Sequence, residues 1–208
     1  MTPHQQTDRL ALTFDGPYAW LPCADAPSLF DAIPANTAGI YLWTVDRGDG
    51  HLVSYVGETG RCIITRMGEH YREHAGGRYS LNDPTKYSRG EKCEIWPGNY
   101  GKNKRDLGAC VQASIELAPQ IIALSRMTRF FIARTTWDTR VRRRAEAAIA
   151  DALFDTPGVI GAFQDRGVRY ERTREDEPRL TISIAVAGSN KLLGVPTTII
   201  AEAGASSA

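Results

Sequence analysis

The chain has 208 residues with 25 Lys and Arg against 24 Asp and Glu, too short for two large cores and too evenly charged to name a polyanionic partner from composition alone. Hydrophobic residues make up 42% and charged residues 24%, the proportions of a packed globular chain rather than a disordered one. No apolar run approaches the ~20 residues that cross a bilayer and residues 1–8 lack the pattern of a secretory leader, so a cytoplasmic location with no membrane partner is expected.

Residues 1–8 are polar and are expected to be disordered, whereas 9–14 alternates apolar and polar residues as a short strand does. A short helical pattern runs over 27–32. Residues 39–45 (GIYLWTV) and 52–57 (LVSYVG) are β-rich runs joined by Asp46-Arg47-Gly48-Asp49-Gly50, a hairpin signal. Residues 61–74 place Cys62, Ile63 and Met67 at helical spacing and predict a helix leaving that hairpin. From 75 to 105 the pattern breaks into Gly, Asn, Pro, Tyr and Lys, and the chain is expected to stop packing and reach outward.

A helix resumes over 107–117, and Pro119 either kinks it or opens a second helix ending near 125. Residues 128–134 (TRFFIAR) read as a buried strand, and 139–154 as an amphipathic helix stopped by Pro157-Gly158. A charged segment (165–179) then leads to strand-like runs at 180–186 and 195–201, followed by a small-residue tail expected to fray. Cys23, Cys62, Cys93 and Cys110 are scattered and read as reduced thiols. The expected fold class is α+β: a small, central, largely antiparallel sheet flanked by helices, in one compact domain.

Gly39-Ile40-Tyr41 and Tyr55-Val56-Gly57 lie on adjacent predicted strands, followed by a helix carrying Arg66 and His70 and, much later, by one carrying an isolated Glu146. In order and context these four elements resemble the GIY-YIG nuclease family. The resemblance covers residues 38–156, with a basic insertion at about 76–106, and leaves 1–37 and 157–208 as N- and C-terminal extensions. It implies metal-dependent hydrolysis of DNA phosphodiesters, leaving a 5′ phosphate and a 3′ hydroxyl. By that resemblance Tyr41 helps take a proton from water with His70 assisting, Tyr55 orients water or phosphate, and Arg66 clamps the phosphate. Glu146 would hold Mg²⁺, with Mn²⁺ as a substitute.

The residues suit these parts on physical grounds. A free phenol titrates at about 10 and is a poor base unless cations favour the phenolate, which Arg66, His70 and a metal could do. Arg66 and His70 stand four apart and share a helix face. Arg61 is a second candidate for the clamp, and His74 for His70. A lone carboxylate suffices for Mg²⁺, which keeps several waters. Each residue also has a plainer reading: the tyrosines as cross-strand packing, Arg66 and His70 as surface groups, Glu146 as a partner of Arg142 or Arg143.

Lys86, Arg89, Lys92, Lys102, Lys104 and Arg105 interleave with Tyr87, Trp96 and Tyr100, a pattern suited to phosphates and exposed bases. A second basic run holds Arg140, Arg142, Arg143 and Arg144. Together these features lead to the expectation of a restriction-type endonuclease with DNA as partner, able to cut both strands as a homodimer. Structure-selective, mobile-element or toxin-like DNases share the same core, and an inactive DNA-binding module is the alternative of another class.

Overall fold

A computed structural model describes residues 7–99, 106–164, 168 and 170–202. Strand β1 (Thr7–Tyr18) and helix α1 (Leu29–Ala32) precede the hairpin β2 (Gly39–Asp46) and β3 (His51–Thr59), which α2 (Ile63–Ala75) leaves. The next segment forms β4 (Leu81–Asn82), α3 (Pro84–Tyr87) and β5 (Glu94–Trp96). After it come α4 (Leu107–Glu116), α5 (Ala118–Met127), β6 (Thr128–Arg134), α6 (Thr139–Phe154) and α7 (Val159–Phe163). The strands β7 (Arg179–Val186), β8 (Leu192–Leu193) and β9 (Thr198–Ala201) follow.

Local chemistry sets several of these boundaries. Asp106 and Asp138 cap α4 and α6, accepting from the amides of Ala109 and Val141. Pro119 sits in the first turn of α5 and opens a second helix, bent by 73° from α4.

The α+β class holds, but the sheet is large and mixed rather than small and antiparallel. It has seven strands in the order β8-β3-β2-β6-β1-β7-β9. The middle strands β3, β2 and β6 are antiparallel, whereas β1 pairs in parallel with β7 and β3 with β8. The difference arises because β1 is longer than its alternating core. It starts at Thr7, inside the segment expected to be disordered, and residues 7–14 pair with β7 while Asp15 and Tyr18 pair with β6. Residues 1–6 and the tail 203–208 lie outside the described residues. The C-terminal strands thereby extend the central sheet.

Apolar side chains fill both faces. On one face Leu12, Phe14, Ile40, Leu42, Phe131, Ile182 and Ile184 pack beneath Ala145, Ile149 and Leu153 of α6. On the other, Trp20, Leu29, Tyr41, Phe130 and Ile132 pack against Ile63 and Met67 of α2. The residues after α2 do not simply reach outward: Leu81 buries with Ile121 and Leu124 of α5, joined by Tyr87 and Trp96, and Trp96 Nε1 donates to Gly77 O at 2.7 Å. That third cluster ties β4, α3 and β5 to the α-helical side. Among the described residues no single helix is long and apolar enough to cross a membrane. All four cysteines are free thiols.

Candidate active site

The hairpin register explains the two glycine-bounded tripeptides. Tyr41 faces Gly57 across the strands, and Trp43 faces Tyr55, so Tyr41, Trp43 and Tyr55 share the α2 face. A Cβ on Gly39 would lie 2.1 Å from the carbonyl oxygen of Ala133 on β6, so only glycine lets the two strands close here. Gly57 leaves room for the ring of Tyr41. The rings of Tyr41 and Tyr55 come together, with centroids 6.2 Å apart.

Helix α2 supplies the polar groups. Tyr41 is 1% exposed, and its Oη lies 2.8 Å from His70 Nε2. His70 Nδ1 lies 2.8 Å from Tyr79 Oη. A neutral imidazole carries one N–H, so one tyrosine accepts from the ring and the other donates to it. Burial pushes His70 down to about 3, with the nearby Arg66 charge in the same direction, and it is neutral at physiological pH. Burial also pushes His74 down to about 4, and its ring stacks on Trp43 at 5.7 Å rather than bonding Tyr41.

Arg66 binds Glu69 at 3.0 Å and keeps its guanidinium beside Tyr41, where it opposes the rise of the phenol. Arg61, the second candidate clamp, makes a two-pronged pair with the same Glu69 and is largely exposed. Arg66 by itself is not enough to favour the phenolate. Burial outweighs Arg66 and pushes Tyr41 up to about 12, and Tyr55 is raised as well.

Glu146 lies on α6, which packs on the other face of the sheet, and its negative charge is close enough to raise both phenols. Its own carboxyl is pushed up to about 8, first by burial and then by the neighbouring Glu58, against the opposing Glu58 amide and Arg143. The pairing of Glu146 with Arg142 or Arg143 is not what forms. Those arginines bind Glu58 instead, at 3.1 and 3.4 Å. Among the described residues no ion pair reaches Glu146. A half-buried carboxyl beside a second carboxylate, lacking its own cation, fits a hard divalent ion. No cluster of three or more metal-ligating side chains forms among the described residues, so any such ion would keep water or substrate ligands.

The basic segments divide. Lys86, Arg89 and Lys92 are exposed, with Lys86 Nζ 3.5 Å from Cys93 Sγ and Lys92 Nζ donating to Gln164 O at 2.8 Å. Lys102, Lys104 and Arg105 lie outside the described residues, as does Tyr100. The second run is absorbed by the fold: Arg140 pairs with Glu177, Arg143 with Glu171, and Arg144 is 3% exposed against Thr173 and Glu177.

Sequence reasoning missed Tyr79, Glu58 and Trp43. Glu58 follows Gly57 directly, and strand alternation alone would have put it on the α6 face. Tyr79 has no such signal, because it comes from the turn after α2. No family of known proteins, no curated protein and no solved structure matches this chain.

Proposed function

We propose that the chain is a metal-dependent DNA endonuclease with a GIY-YIG-like centre. The observation that carries this reading is the Tyr41–His70 hydrogen bond with Arg66 beside it, near enough to Glu146 for that carboxylate's charge to act on both phenols. In-line attack at phosphorus needs a proton acceptor for water and positive charge on the phosphoryl oxygens, and these groups offer both.

Arg66 holds a non-bridging phosphate oxygen with its planar fork of donors. Tyr41, protonated at neutral pH, works as a relay: its Oη accepts the proton of the attacking water while its own proton passes to Nε2 of His70. The tautomer this requires has the Nδ1 proton donated to Tyr79 Oη. An incoming phosphate offsets the Arg66 charge that disfavours imidazolium, making His70 a better base once substrate is bound. Tyr55 orients water at the same face. Glu146, with Glu58 beside it, would hold Mg²⁺ or Mn²⁺, which would supply Lewis-acid stabilisation of the charge developing on the leaving oxygen. A cytoplasmic location goes with this reading, and cutting of both strands calls for two copies of the chain.

The test is incubation of supercoiled plasmid with the protein and with Glu146→Ala, in Mg²⁺ and in EDTA. Metal-dependent cutting by the parent and none by the variant is expected. Discrete fragments point to restriction-type cutting, and nicking points to structure-selective cutting. Failure to retain DNA even at low salt, where phosphate contacts are strongest, overturns the reading.

A further inference from the structure

Beside the Tyr41–His70 pair the α2 face opens into a cavity of about 550 Å³, inside the range of about 300–1,000 Å³ that holds small ligands. Trp20, Trp43, Tyr55, Tyr79, Tyr87 and Phe163 give it aromatic walls. Arg66 and His70 belong both to this lining and to the cleavage cluster, so the cavity and the phosphate clamp share a boundary.

Two polar atoms of lining residues have no hydrogen-bond partner among the described residues: the Trp43 Nε1 donor and the Asn82 Oδ1 acceptor, both buried. A buried donor and a buried acceptor left unmade are costly, and each calls for an explanation. Neither atom presents surface to the empty cavity, so an occupant bonds them only after the Trp43 and Asn82 side chains turn towards it. A nucleobase carries donors and acceptors on its edge and a π face that stacks on aromatic rings whatever its identity. Its sugar–phosphate would then fall beside Arg66.

We propose that this cavity receives an unpaired nucleobase, turned out of the duplex while the adjoining phosphate lies on Arg66; the proposal rests on the nuclease reading of the same cluster. The protein selects the unpaired state more than the identity of the base, because stacking tolerates all four. A substrate whose base is already unpaired is spared the cost of unstacking and binds more tightly.

The experiment uses two dye-labelled duplexes at low salt in EDTA, one with a single bulged 2-aminopurine and one with the same base paired. Tighter binding of the bulged duplex by about tenfold or more is expected, with quenching of 2-aminopurine as it stacks on the aromatic walls. Ser80 is exposed at the cavity lining, so Ser80→Trp plugs the cavity without entering the core, while Asn82→Leu removes the acceptor. Each should cut the preference below about twofold. Equal affinity for the two duplexes without quenching overturns the base pocket and leaves the nuclease reading standing. Preference retained in both variants overturns the assignment to this cavity, and retention of neither duplex overturns both proposals.

Discussion

The ring of Tyr41 rests on the backbone of Gly57, its cross-strand partner: a Cβ at position 57 would lie 2.4 Å from Tyr41 Cζ and 2.5 Å from its Oη. Tyr41 is 1% exposed and packs with Ile63, Met67 and Ile132, which leaves its ring little room to swing aside. Gly57→Ala is therefore expected to cost ~1–3 kcal/mol by overpacking and to move the phenol off His70. Urea unfolding reads the first effect and plasmid cleavage the second. Adding Tyr41→Ala to Gly57→Ala should remove the clash, so a double-mutant cycle showing no coupling would refute the contact.

Tyr79 holds the far side of His70. Tyr79→Phe leaves Nδ1 without its acceptor, and the loss of one buried partner costs ~1–3 kcal/mol. Because the proposed relay requires Tyr79 to accept from Nδ1 so that Nε2 can accept from Tyr41, cleavage should fall further than stability predicts, approaching the ~10²–10⁴-fold of a lost proton-transfer group. The measurement is single-turnover cleavage of Tyr79→Phe beside Tyr41→Phe. A full rate from Tyr79→Phe would remove it from the relay.

The carboxyl of Glu146, pushed up to about 8, holds a proton at neutral pH that a divalent ion must displace. Below about pH 8, Mn²⁺ affinity should fall by about tenfold per pH unit, with one proton released per ion. Calorimetry in two buffers of different ionisation enthalpy counts that proton. Glu58→Gln removes the like charge beside Glu146, so the pH midpoint should move down. A midpoint unchanged in Glu58→Gln would mean that burial alone sets it.

Arg142 is 5% exposed, and its charge is answered by Glu58. Taking away one partner of a buried ion pair strands the other, so Glu58→Ala should destabilise the fold by ~3–5 kcal/mol. Chemical denaturation of Glu58→Ala and Arg142→Met tests this. Arg142→Met, which leaves Glu58 the partner Arg143, should be the milder of the two.

His70 and His74 are neutral in the fold, pushed down to about 3 and about 4, whereas in the unfolded chain they titrate near 6.5. The unfolded state therefore binds more protons between those values, and stability must fall as pH drops through that window. The urea midpoint should decline from about pH 7 to about pH 4, and His70→Asn should flatten the slope.

The hairpin, β6 and α6 were legible because each rests on local signals: a Gly and Asp turn between β-rich runs, a buried TRFFIAR run, an Asp138 cap and a Pro-Gly stop. Arg66 and His70 were singled out by the resemblance, and helical spacing added only that they share a face. The parallel β1–β7 pairing was not, because it joins segments from opposite ends of the sequence and leaves no periodic trace in either. The environment of Glu146 was equally hidden, since whether Arg142 and Arg143 turn to Glu146 or to Glu58 depends on how α6 lies on β3. Nor does composition show which lysines and arginines stay exposed, as the ion pairs of Arg140, Arg143 and Arg144 demonstrate.

The parallel alliance of β1 with β7 also governs when the molecule can exist. Until Val186 has left the ribosome, residues 7–14 have no β7 to pair with, and Leu12 and Phe14 wait without Leu180, Ile182 and Ile184 beside them. Such end-to-end closure is entropically slow, so a nascent chain can carry Tyr41 through Glu146 in sequence while β7, β8 and β9 are still unbuilt. A truncated product ending before β7 would keep Tyr41, His70, Arg66 and Glu146 and lose the strand that pairs with residues 7–14 of β1.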